Sequence, residues 1–154
     1  MSPKANVQSP KSKVDLSAIT QNNMAKIEKF EDMLSWQKGR ELTKRVYQAS
    51  KLGNFAKDFE LRGQMRSASI SVMSNIAEGF ERGGDKEFLQ FLSTAKGSCG
   101  EVRSQLYVAL DQSYITPVEF ENISSDALEV SKLVSGFMTY LRQSELRGNK
   151  FRRA

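Results

Sequence analysis

The chain has 154 residues, enough for one domain with a substantial core, and its ten glycines and three prolines are too few for a loop-rich or disordered protein. It contains no histidine, which removes the commonest general base and the commonest zinc ligand, and its single cysteine excludes an internal disulfide. The formal net charge of +5 is unevenly spread: residues 1–29 carry +3, 30–54 carry +2, 55–146 carry −4 and the last eight residues +4. The body is therefore slightly acidic and the ends are basic, the simplest footprint of a nucleic-acid binder.

Residues 1–29 are rich in Ser, Pro, Lys, Asn and Gln and show no sustained helical periodicity, which predicts a flexible basic N-terminal arm. Its polar start predicts no signal peptide, no apolar run reaches transmembrane length, and a cytoplasmic location is expected.

A first helix is predicted over about Glu31 to Leu52. Leu42, Val46 and Ala49 form its core stripe, which Met33, Trp36 and Tyr47 broaden. Lys38 and Arg45 lie seven apart on the opposite flank, with Lys44 nearby, and Gly53 and Asn54 supply the stop.

The second helix leads up to Gly79, Gly83 and Gly84, which are expected to end it. At 100° per residue, Leu61, Met65, Ala68, Ile70, Val72, Met73, Ile76, Ala77 and Phe80 cover an arc of roughly 200°, about twice what one core needs. Such a helix packs on two sides: as the centre of a bundle, or as a bundle helix that also meets another subunit. Arg62 and Arg66 fall inside that arc and should emerge at its edge, where long side chains snorkel. The remaining strip holds Gln64, Asn75 and Glu78, and the Asn75 amide is expected to bond a backbone or serine group across the contact with the third helix.

Gly84 or Asp85 should cap the third helix, with Glu87 in its first turn. Phe88, Leu92, Ala95, Cys99, Val102, Leu106 and Ala109 then recur alternately four and three apart, a heptad seam in which Cys99 is a small core residue. Gly97, Ser98 and Gly100 thin its middle, which suggests either close approach of another backbone or a kink, because each glycine costs on the order of 1 kcal/mol in a helix. Lys96 and Arg103 line one flank.

The fourth helix opens with a capping box, Thr116 as N-cap and Glu119 as its partner, with Pro117 in the first turn. Phe120, Ile123, Ala127, Val130, Val134, Phe137 and Leu141 make its core stripe. Gly148 should end it, and 147–154 form a basic tail with Arg147, Lys150, Arg152 and Arg153. The expected fold is all-α: an antiparallel up-down-up-down four-helix bundle over 30–146 with a flexible N-terminal arm.

No residue set supports catalysis. Glu31 with Asp32 and Glu119 with Glu121 flank helix starts, where acids suit the dipole, and no spacing joins Lys96 to a serine nucleophile. A non-enzymatic protein without metal or cofactor is expected.

The string Phe30–Gly39 (F-E-D-M-L-S-W-Q-K-G) with Val46-Tyr47, the stretch Gln64–Phe80, the stretch Lys86–Val102 and Tyr114-Ile115-Thr116 resemble the bacterial four-helix bundle proteins named after intervening sequences of 23S ribosomal RNA. The resemblance spans about 30–143, and N-I-A-E-G followed by A-x-G-S-x-x-E is its most specific part. The same fold class includes the accessory variability determinant of diversity-generating retroelements. The resemblance thus implies a barrel-like homopentamer whose basic surface binds DNA or RNA and, in those systems, a reverse transcriptase. It assigns Gln64, Asn75, Glu78, Gly79, Gly97 and Ser98 to structural or interface roles. The basic residues to carry nucleic acid would be Lys38, Lys44, Arg45, Arg62, Arg66, Lys96 and Arg103 with the C-terminal four. The chain departs from the family pattern in having Arg66-Ser67 where two arginines are usual, and Asn54-Phe55-Ala56 where a proline is usual. A protein–protein scaffold with no nucleic-acid role is the alternative, favoured by the acidic body.

Overall fold

In the computed structural model, residues 27–146 are described, and they form four helices in the order α1 (Leu34–Ser50), α2 (Phe59–Glu81), α3 (Asp85–Asp111) and α4 (Pro117–Leu146). Two short 3-10 turns, Phe30–Asp32 and Phe55–Lys57, precede α1 and α2. Each helix packs on its chain neighbour and α4 closes back on α1, so the four run up, down, up and down around one core. The arm through residue 26 and the tail 147–154, with Arg147, Lys150, Arg152 and Arg153, lie outside the described residues.

The core has two storeys. Val72, Ile76, Phe80, Phe88, Leu92, Cys99, Val134, Phe137 and Leu141 fill the end where α1 begins. Leu42, Val46, Phe55, Leu61, Met65, Leu106, Phe120 and Ile123 fill the end where α1 stops. Apart from Phe55, which the turn before α2 contributes, these are the expected periodic positions, each heptad stripe buried along its length. Ile27, assigned to the arm by its polar surroundings, belongs to the first storey.

Local chemistry explains most helix ends. Thr116 Oγ1 accepts the Glu119 N–H while Glu119 Oε1 accepts the Thr116 N–H, both at 3.1 Å, the reciprocal box expected for α4. Asp58 Oδ1 accepts the Leu61 N–H at 3.1 Å and starts α2. Gly53 at φ +54° closes the exit from α1, and Gly83 at φ +86° closes the exit from α2.

Three expectations need correction. The first helix does not begin at Glu31: the Asp32 carboxylate takes the N–H groups of Glu28 and Lys29, closing a 3-10 turn, and Met33 is extended before α1. Gly79 does not end α2, which runs two residues further; it is a buried contact glycine. A Cβ there would stand 2.7 Å from Phe91 Cβ and 2.9 Å from Phe88 Cδ1, so its missing side chain sets how closely α2 and α3 approach. Gly97 and Gly100 make no such approach to the described residues: both are exposed, and an added Cβ would meet none of those residues within 4 Å. The wide apolar arc of α2 packs on two sides, as expected of a central bundle helix. Its Met73 side lies on α1, where Gly39 meets Val72 and Met73, and its Gly79 side lies on α3, leaving Ile70 and Phe59 exposed.

Candidate nucleic-acid interface

On α1, Trp36, Arg40, Lys44, Tyr47 and Lys51, which caps its C-terminus, share an arc of roughly 80° at 100° per residue. No carboxylate falls in that arc, and Arg40, Lys44, Tyr47 and Lys51 are all exposed. The neighbouring edge of α2 brings Arg62 and Arg66 alongside. Arg66 sits 4.4 Å above the Tyr47 ring and donates from Nε to Ser50 Oγ at 2.8 Å, so it bridges α2 to α1. Arg62 lies 4.8 Å above Phe59 and donates to the Ala56 carbonyl at 2.7 Å. Arg40 stands 6.0 Å above Trp36. Three guanidinium–aromatic pairs therefore line one two-helix face. Each gains from the ring quadrupole, and a guanidinium held by a ring and one hydrogen bond keeps further N–H groups for an anion.

The structure separates the other basic residues from this face. Lys38 pairs with Glu41 at 3.4 Å, and Arg45 pairs with Asp126 of α4 at 3.1 Å, so both flank α4 and are largely neutralised within the protein. Burial and Glu41 raise the Asp126 pKa, while Arg45 and Lys38 lower it; burial is the largest effect and the net shift is upward. Lys96 and Arg103 lie on the α4 side of α3: Arg103 is one turn before Tyr107, whose ring packs edge-on to Phe120 of α4 at 4.9 Å. Arg62 and Arg66 sit on the α1 side of α2, so these four do not form one patch on a protomer. Lys96 and Arg103 are exposed and make no ion pair with the described residues.

The Asn75 amide takes a different partner from the expected one. Its Nδ2 donates to the Ser71 carbonyl at 2.8 Å and to Ser71 Oγ at 2.9 Å, both within α2. The link to α3 is made by Ser71 itself, whose hydroxyl lies 2.9 Å from that of Ser98. Asn75 thus orients the bridging serine, and Ser98 is that serine's partner on α3. Glu78 is exposed and pairs with Arg82 at 2.8 Å, which raises the Arg82 pKa. Gln64 is exposed and reaches Glu60 at 3.5 Å.

Among the described residues no cluster of three or more His, Cys, Asp or Glu side chains could hold a metal ion, and no helix is long and apolar enough to cross a membrane. Cys99 is fully buried, and burial pushes its thiol up to about 12 against a smaller lowering by Arg103, so it is a core residue rather than a nucleophile.

Sequence reasoning missed Arg40, Lys51, Trp36, Tyr47 and Phe59 as site residues. Trp36 and Tyr47 read as core broadening, yet the spacing of Trp36, Arg40, Lys44, Tyr47 and Lys51 already places all five on one strip.

The fold has a counterpart among solved structures. A protein of unknown function from the S23 ribosomal protein family of Bacteroides thetaiotaomicron superposes with a TM-score of 0.64 at 24% identity, over 69% of this chain and 96% of that one. No curated protein matches the sequence. The family model of the 23S rRNA-intervening sequence proteins matches residues 31–136, from the turn before α1 through the first two thirds of α4, and the chain belongs to that family.

Proposed function

We propose that the protein is a non-enzymatic, homo-oligomeric scaffold that binds nucleic acid along the α1/α2 face. The observation that carries the reading is the run of Arg40, Lys44 and Lys51 beside three guanidinium–aromatic pairs, without a carboxylate on the α1 strip. Fixed cations at helical spacing suit a phosphate backbone, and aromatic rings between them suit bases. The homopentamer and the reverse-transcriptase partner follow from the family resemblance. Ile70, 42% exposed on α2, offers apolar area for a subunit contact.

Salt titration of fluorescence anisotropy with labelled DNA and RNA tests this. Binding should fall steeply with salt, because each neutralised phosphate releases counterions. Replacing Arg40, Lys44 and Lys51 together by Ala should reduce the slope of log K against log salt by about 2–3, at roughly 0.9 per contact on duplex and 0.7 on a single strand. Replacing Lys96 and Arg103 should matter less. Absence of binding at low salt would sink the nucleic-acid reading and leave the protein-scaffold one. Light scattering should give a mass several times 17.3 kDa, five times if the resemblance extends to assembly; a monomer would remove the oligomer.

A further inference from the structure

The α1 strip runs down to the α1–α2 connection, and there the surface forms an open depression of about 760 Å³ at the end of the bundle. Its rim includes Phe59, the most exposed large apolar side chain described, with 71% of its surface accessible although Arg62 covers the ring at 4.8 Å. Asn54, before α2, and Gln112, after α3, both line it, and Lys57 adds a cation. The side-chain amides of Asn54 and Gln112 make no hydrogen bond to the described residues, so each offers a free donor and acceptor. Side-chain contacts hold the floor together. The Tyr114 hydroxyl donates to Asp58 Oδ2 at 2.9 Å, Asp58 Oδ1 caps α2, and the Tyr114 ring stacks on buried Phe55 at 5.3 Å. The remaining carboxylate on the rim, Glu60, disfavours a phosphate seated in the depression itself.

An exposed ring, two amides without protein partners and one lysine around an open depression match a flat heterocycle with mixed donors and acceptors, joined to one phosphate. We propose that this depression seats an unpaired nucleobase of a single strand whose backbone follows the α1 strip. The base stacks on Phe59, the amides of Asn54 and Gln112 meet its edge, and Lys57 holds the adjoining phosphate. A duplex keeps its bases stacked on one another and cannot use the seat. The inference rests on the nucleic-acid reading above, and it makes the protein a reader of single-stranded segments rather than of duplex.

Anisotropy of the full chain at low salt, with a short labelled single-stranded RNA and the matching duplex, tests it. The single strand should bind about ten-fold tighter, within the range of one base–aromatic stack. Phe59→Ala should cost about ten-fold more single-strand affinity than duplex affinity, since it also frees Arg62 on the face both ligands share. Asn54→Ala with Gln112→Ala should show the same selectivity, and it stands as an independent variant should loss of Phe59 disturb folding. Replacing Arg40, Lys44 and Lys51 should weaken both strands alike. If both of these variants change neither ligand, or change both equally, the base seat is wrong while the nucleic-acid reading stands. If the unmodified chain binds neither, both fall.

Discussion

Replacing Gly79 by Ala sets two known effects against each other at one position. In an exposed helix interior the change would stabilise the protein by about 1 kcal/mol, because glycine is the poorer helix former. Gly79 is buried, however, and the new Cβ would stand 2.7 Å from Phe91 Cβ and 2.9 Å from the Phe88 ring. Phe91 Cβ is fixed to the α3 backbone and cannot rotate away. Phe88 is fully buried against Phe80 at 6.2 Å and Phe137 at 5.3 Å, so its ring has nowhere to go. Relief requires α2 and α3 to separate by several tenths of an ångström along their closest stretch. Overpacking of this kind costs about 1–3 kcal/mol, and the absence of any flexible atom puts this site at the upper end. The net expectation is a loss of about 1–2 kcal/mol, or a melting temperature lower by roughly 4–8 °C for a domain of this size. Gly97→Ala serves as the control: that position is helical, exposed and open, and should gain about 0.5–1 kcal/mol. Urea denaturation of both variants at matched concentration measures the difference. If Gly79→Ala stabilises as much as Gly97→Ala, α2 and α3 do not approach as closely as described. If Gly97→Ala destabilises instead, another subunit packs on that face.

Asn75→Leu should cost about 1 kcal/mol by urea denaturation, since Ser71 loses the donor that orients it toward Ser98, and Ser98→Ala should cost a similar amount; additive losses in the double variant would show that the three do not act as a unit. The raised pKa of Asp126 has its largest cause in burial, so the folded state holds that proton to higher pH than the unfolded chain. The associated stability is complete below the unfolded value of about 3.9 and is lost as pH rises through the folded one. Asp126→Asn should therefore become more stable relative to the unmodified protein as pH climbs through that window, and a pH-independent difference in urea midpoint would refute the assignment.

Some of this molecule was decided by neighbours in the chain. Thr116 and Glu119 are three residues apart, within reach of each other's N–H groups in any helix that starts there, so the capping box could be read without knowing the fold. The same holds for the apolar stripes of all four helices, because a 3.6-residue period with one wet side leaves only one buried side. That reasoning also separates Cys99 from chemistry, as it stands on the α3 seam. The interface was decided differently. Gly79 and Gly97 are alike as helix glycines, and only the rotation of α2 against α3 brings one onto Phe91 and leaves the other open. Arg66 has the same intrinsic chemistry as Arg103, yet the register between α1 and α2 sets the first over Tyr47 and Ser50. Asn75 could reach across or back along its own helix, and the position of Ser71 chose the latter. Backbone hydrogen bonds and caps reach three or four residues and are written locally. Contacts between helices depend on the rotation and register that core packing selects, and that selection is made by the whole bundle at once.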